Sequence, residues 1–203
     1  MMVMVGVVVI GVWMMEDNDI EVEAKARIGD HEDICRMLES RGAVFEEKVL
    51  HRDTYYAHPS RNYVSTDEAI RVRTVIREEG VEYRMTYKGP RLDAVSKTRE
   101  EVEVGVDSGE AAGKLLERLR FKPVATVTKK RLFYSLPPLK ITVDDVEGLG
   151  RFVEVETTAG DNWERARDGV VAFIHSIGCG NIEKASYLEL LLGLRDADAD
   201  KNV

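Results

Sequence analysis

The chain is poor in the residues that build covalent or soft-metal frameworks. Its 203 residues hold two cysteines, Cys35 and Cys179. They stand far apart in no paired spacing, which excludes a disulfide scaffold or a zinc ribbon and reads as reduced thiols in a cytoplasmic protein. His31, His51, His58 and His175 form no ligand cluster in the sequence. No apolar run reaches the roughly 20 residues that cross a bilayer. The nearest, MMVMVGVVVIGVWMM over residues 1–15, also lacks a basic leader and a small-residue cleavage site. It reads as an extension ahead of a true start at Met14 or Met15, dispensable for activity and no membrane anchor. Basic charge is not in excess. The 29 Lys plus Arg against 37 Asp plus Glu give a net charge of -8, which excludes a surface built to coat nucleic acid. No low-complexity linker divides the chain, so the expected layout is the extension over 1–15, one domain over 16–194 and a disordered tail over 195–203.

What remains is a core-forming sequence with an unusual load of charge. Hydrophobic residues make up 44% and charged residues 33%, against a usual charged fraction of about 25%. IEVEAKARI over 20–28 alternates strictly, the two-residue period of a strand with unlike faces. Asp30 is placed to cap a helix presenting Ile34, Met37 and Leu38, which Gly42 stops. Strands are predicted at about 44–57, 69–77, 81–88, 98–106, 124–134, 139–145 and 151–158. Ser108 and Asp161 are placed to cap two further helices, and Ser186 with Glu189 forms a capping box for a short last one. Strands in runs separated by helices place the chain in the α+β class, with a largely antiparallel sheet.

Alternation also sorts the charges onto one face. Glu21, Glu23, Lys25 and Arg27 share a side of the first strand; Arg71 goes with Arg73, Arg84 with Lys88, and Arg99 with Glu101 and Glu103. Lys129 goes with Arg131, Lys140 with Asp144, and Glu154 with Glu156. The alternate positions, Val22, Ala24, Ile70, Val72, Val102, Val104, Ile141, Val143, Val153 and Val155, are apolar. A one-sided sheet would turn its ionic face to water. A merely solvated face, however, would carry more Ser, Thr, Asn and Gln than this nearly pure charge set. A sheet curled with the ionic face inward makes a charged tunnel covered outside by helices.

Buried charges of both signs need partners. A triphosphate, clamped by Arg and Lys through charge-assisted hydrogen bonds, and a hard divalent cation held by carboxylates would supply them. The E-x-E pairs Glu21/Glu23 and Glu154/Glu156 are the strongest metal candidates, with Asp144 and the Glu101/Glu103 pair as further ones, for Mg2+ or Mn2+. Arg61, Asp67, Glu68, Tyr55, Tyr56, Tyr63 and Tyr83 read as loop-capping or sheet-packing groups, not as a base-binding platform.

These residues carry a family likeness. Over 20–192 the chain resembles the CYTH proteins, which include class IV adenylate cyclases, thiamine triphosphatases and inorganic triphosphatases built on the triphosphate tunnel fold. EVEAK is similar to the family's E-x-E-x-K signature, and IRVR, TYKGP, REEVEV, KKRLFY, ITVDDVEGLGRFVEVE and SYLELL follow in family order. The resemblance implies an antiparallel barrel with helices packed outside. It implies phosphate binding by Lys25, Arg71, Arg73, Lys88, Arg99, Lys129 and Arg131, with Lys25 and Arg131 closest to the chemistry. It implies metal binding by Glu21, Glu23, Asp144, Glu154 and Glu156. DTYYAHPSRNYVSTDEAIRVR is most similar to the cyclase-type branch, which implies conversion of ATP to cyclic AMP and pyrophosphate, and a homodimer. Hydrolysis of thiamine triphosphate or tripolyphosphate, and non-catalytic binding of phosphorylated metabolites, are the competing expectations. No residue of the sequence declares itself the general base; Tyr134 and Lys25 are the candidates.

Overall fold

The structure, a computed structural model, describes residues 20–92, 98–160 and 162–200. The apolar extension over 1–15 and the Asp161 cap lie outside these residues. Eight strands, β1 (Ile20–Arg27), β2 (Val44–Ala57), β3 (Ala69–Ile76), β4 (Val81–Lys88), β5 (Glu101–Val106), β6 (Lys122–Leu136), β7 (Leu139–Val146) and β8 (Gly150–Ala159), form one sheet. Five helices accompany them: α1 (His31–Ser40), α2 (Tyr63–Thr66), α3 (Gly109–Arg118), α4 (Trp163–Ser176) and α5 (Tyr187–Asp200).

The sheet order is β1-β8-β7-β6-β2-β3-β4-β5, with every neighbouring pair antiparallel. The sheet curls until its two edges meet. An isolated bridge joins Glu21 of β1 to Arg99, just ahead of β5, through Arg99 N–H donating to Glu21 O at 3.3 Å. The architecture is thus the expected α+β antiparallel barrel with helices packed outside.

Strand alternation decides what lies on each side. Val22, Ala24, Ile141, Val143, Val153 and Val155 point outward and are closed over by Ile34 and Leu38 of α1 and by Val170, Ile174 and Ile177 of α4. Burying such side chains contributes about 1.5–3 kcal/mol each. A second outer cluster, Tyr56, Val72, Ala112 and Leu116, seats α3. The seat is close: a Cβ on Gly113 would stand 2.6 Å from the Tyr56 hydroxyl. On β5, Val106 packs toward α3, while Val102 and Val104 are exposed.

The caps follow the sequence reading at both ends of α1. Asp30 accepts from the backbone N–H of Glu32 and Asp33, and Gly42 leaves the helix at φ +88°, where a side chain would be strained. Ser108 accepts from Ala111 N–H to start α3. Two details differ from expectation. The one-turn helix α2, capped by Asn62, is too short to leave a period in the sequence. Helix α5 is longer than its capping box predicts and continues into the stretch expected to be disordered.

Candidate active site

Antiparallel partners point the same way, so the ladders fix which side chains share the lumen. Lys25 stands opposite Glu154 and Glu23 opposite Glu156. Asp144 faces Arg131 and Phe152, Lys129 faces His51, and Asp53 faces Arg73. Arg73 faces Arg84, Lys88 faces Glu101, and Glu103 faces Thr86. These ionic positions, drawn from all eight strands, turn inward, while Arg52, Lys130, Asp145 and Arg151 take the other face. Lys25, Arg71, Arg73, Arg99, Lys129 and Arg131 are each at most 9% exposed.

Burial of one cation costs several kcal/mol unless partners offset it, and the partners are on hand. Asp53, missed in the sequence reading, is the anchor of the β3 arginines. It takes Arg73 in a two-pronged pair, Nε–Oδ1 at 2.6 Å and Nη2–Oδ2 at 2.7 Å, with Arg71 Nη1 at 3.5 Å. Burial alone would raise its pKa, but Arg73 and Arg71 outweigh that and hold the carboxyl well below the usual range. No signal in the sequence could single it out, because it becomes meaningful only once β2 is in register with β3.

Across the lumen Arg131 bridges two acids. Its Nε donates to Asp144 Oδ1 at 2.7 Å and its Nη2 to Asp144 Oδ2 at 2.5 Å and to Glu154. Burial opposes its charge, yet Asp144 and Glu154 more than restore it. Lys129 reaches Asp144 at 3.3 Å. Burial first, and Arg131 next, pull its ammonium down to about 8. Lys88 lies against Glu101, with Glu21 at 3.9 Å.

Two expected phosphate binders carry contacts of a different kind. Lys25 is fully buried; its Nζ donates to Ala185 O at 2.7 Å and lies 3.9 Å from the Tyr187 ring centre. Arg99 donates to the backbone carbonyls of Asp67 and Gly89 and pairs with the Asp67 carboxylate, tying loops beside the closing bridge. Glu68 similarly collects Arg61, Thr66 and Tyr87, so the residues read as loop-capping do organise the segment before β3. Tyr134 faces the other way. It sits in the outer core beside Phe45, its hydroxyl toward Glu39 of α1, and is no candidate base for lumen chemistry.

One end of the lumen is apolar. Tyr55, Val127, Val146 and Phe152 close around Tyr187 at the start of α5, with Leu188, Leu190 and Leu191 packed behind. The Tyr187 hydroxyl donates to Asp144 Oδ2 at 2.9 Å. The sequence showed the capping box of the final helix but nothing of its seat.

The metal candidates divide into two sets. Among the described residues no three His, Cys, Asp or Glu side chains are gathered tightly enough to form a ready ligand cluster. Asp144 and Glu154 are engaged with Arg131. Glu156, by contrast, is raised by burial and then by the charge of Glu23, and Glu21 is raised well above the ordinary value by burial, with Glu101 and Glu156 adding to it. Carboxylates that repel one another in a half-buried place fit a hard cation, whose charge relieves both desolvation and repulsion. Glu21, Glu23 and Glu156 are accordingly the fitting set.

Comparison with known proteins agrees with this architecture. A family model described as CYTH domain matches residues 19–176. MJ0240 of Methanocaldococcus jannaschii, provisionally named an adenylate cyclase, is 36% identical over 175 residues, 84% of this chain and 98% of that protein. Adenylate cyclase CyaB of Aeromonas hydrophila is 25% identical over 142 residues, 70% of each. The solved structure of the PH1819 protein from Pyrococcus horikoshii matches with a TM-score of 0.80 at 38% identity, covering 85% of this chain and 98% of that one.

Proposed function

The chain belongs to the CYTH family, and from that membership we propose that its tunnel binds a triphosphate with a divalent metal ion and converts ATP to cyclic AMP and pyrophosphate. The observation that carries the reading is the enclosed ring of buried cations, Arg71, Arg73, Lys129 and Arg131, interleaved with carboxylates. Such a ring is stable as it stands only because acids neutralise it. A polyanion would take over that task and release the acids.

In the cyclisation the ribose 3′ oxygen forms a bond to the α-phosphorus while the bond from that phosphorus to the bridging oxygen breaks. Pyrophosphate leaves with the bonding pair, and the hydroxyl proton passes to water. Arg71, Arg73, Lys129 and Arg131 hold phosphate oxygens and stabilise the charge that moves onto the leaving group. Lys88, beside Glu101 and Glu21, extends the cationic track toward the closing seam. Glu21, Glu23 and Glu156 would hold Mg2+ or Mn2+, which when bound offsets phosphate charge and polarises the phosphoryl group. The cyclase naming of two relatives supports cyclisation over hydrolysis of the terminal phosphate.

Incubating the protein with ATP, thiamine triphosphate and tripolyphosphate, each with magnesium or manganese, separates the reactions by product. Cyclic AMP with pyrophosphate is the expected result from ATP. Orthophosphate release without cyclic product would reassign the tunnel to hydrolysis, and no turnover of any of the three would reject the reading.

A further inference from the structure

Most buried polar side-chain atoms in the lumen have partners, and the exceptions are informative. Among the described residues, Arg77 Nη1 and Arg91 Nε lack a well-formed hydrogen bond, yet each lies by a carboxylate, Glu82 and Asp67 respectively. His51 Nδ1 and Thr142 Oγ1 have no hydrogen bond. Both residues belong to the lumen face, His51 opposite Lys129 and Val75, Thr142 opposite Phe133 and Glu154.

His51 is the more telling of the pair. It is 3% exposed and lies edge-on to Phe133, ring centres 6.1 Å apart. The charged groups around it are Arg73 of β3, Lys129 and Arg131 of β6, and Asp53 of its own strand. Burial, and then the three cations, keep the imidazole neutral, far below its ordinary pKa. An orphaned nitrogen in such a place is costly, and an apolar side chain would fill the space without that cost. The arrangement makes sense if a ligand completes it.

We propose that His51 is a phosphate-binding residue: with a polyphosphate in the tunnel, Nδ1 carries a proton and donates it in a hydrogen bond to a phosphate oxygen. The neutral ring carries one hydrogen, and the anion holds it on Nδ1. The proposal rests on the polyphosphate reading above and adds to it a neutral ring donor among the lumen cations.

The test uses inorganic tripolyphosphate without metal and the full chain carrying 15N-labelled histidine. The chain has four histidines, so the His51 signals are assigned by replacing His31, His58 and His175 in turn, which needs no change at His51 itself. At saturating tripolyphosphate the Nδ1 signal should move to the protonated position. In parallel, His51→Phe should bind tripolyphosphate about tenfold more weakly, the loss of one hydrogen bond to a charged group. Wild-type protein that binds tripolyphosphate with the His51 signals unmoved overturns the proposal and leaves the polyphosphate reading standing. So does a folded His51→Phe protein that binds as tightly as wild type. Wild-type protein that binds no tripolyphosphate at all removes both.

Discussion

Arg73 grips Asp53 through parallel hydrogen bonds of 2.6 Å and 2.7 Å, inside the barrel and nearly out of reach of water. Without the acid, Arg73 would lose its two-pronged partner inside the barrel, while Arg71 would keep Glu101 at 3.5 Å. Asp53→Asn should therefore lose about 3–5 kcal/mol of stability, read as a shift in the urea midpoint. Tripolyphosphate should recover more of that loss in the variant than it adds to wild type, because the anion replaces the missing charge. An unchanged midpoint would mean that water reaches the pair.

The same pair sets an acid limit. Asp53 has a folded-state pKa well below its unfolded value near 3.9. Its contribution is complete above that unfolded value and is lost as pH falls toward the depressed folded one. Wild type should thus lose stability below about pH 4 more steeply than Asp53→Asn, measured by chemical unfolding along a pH series.

Lys129 predicts a slope of the same sign at high pH. Its ammonium is pulled down to about 8 in the folded protein, while an unfolded lysine titrates near 10.4. Between those values the unfolded chain holds a proton that the folded chain has released, so stability rises with pH across the window, by up to roughly 3 kcal/mol. Lys129→Met should lack that rise. Tripolyphosphate affinity of wild type should weaken over the same range, as one phosphate partner loses its charge.

Glu156 and Glu23 repel one another in a half-buried place. Replacing Glu156 by Gln should leave the metal-free protein as stable or slightly more so, and lower Mn2+ affinity at least about tenfold. Thermal unfolding without metal and calorimetric titration with Mn2+ check the two halves. A large loss of metal-free stability would identify Glu156 as a structural ion-pair partner instead.

Tyr187 donates to Asp144 from the start of α5. Tyr187→Phe leaves Asp144 with Arg131 and Lys129, so the loss should stay near one hydrogen bond to a charged group, about 1.5–3 kcal/mol. Hydrogen exchange should quicken at the amides of α5 well before those of the sheet.

Much of the barrel could be read in the sequence because alternation is local. Glu21, Lys25, Arg73, Arg131 and Glu154 announce their face by their neighbours two residues away. What strands do to one another is not local. Asp53 and His51 lie in EEKVLHRDTYY, a stretch with little alternation, and their roles come from register with β3 and β6. Tyr134 could have been set aside from the sequence, since counting by twos from Lys129 and Arg131 puts it on the opposite face, as its pairing with the outward Ile141 also shows. Lys25 and Arg99 could be placed on the lumen strands, but their bonds to Ala185 and Asp67 depend on loops that carry no period. The helix caps at Asp30 and Ser108 were legible because a cap needs only the next few residues.

The wall of this barrel is not equally strong all round. Every neighbouring pair in the sheet order is zipped along a ladder, whereas the last seam is fastened by the Glu21–Arg99 bridge. Among the described residues, parting that seam would cost the bridge and the Lys88–Glu21 contact and leave each ladder intact. A bulky guest would therefore widen the bore more cheaply at this slit than by melting a strand.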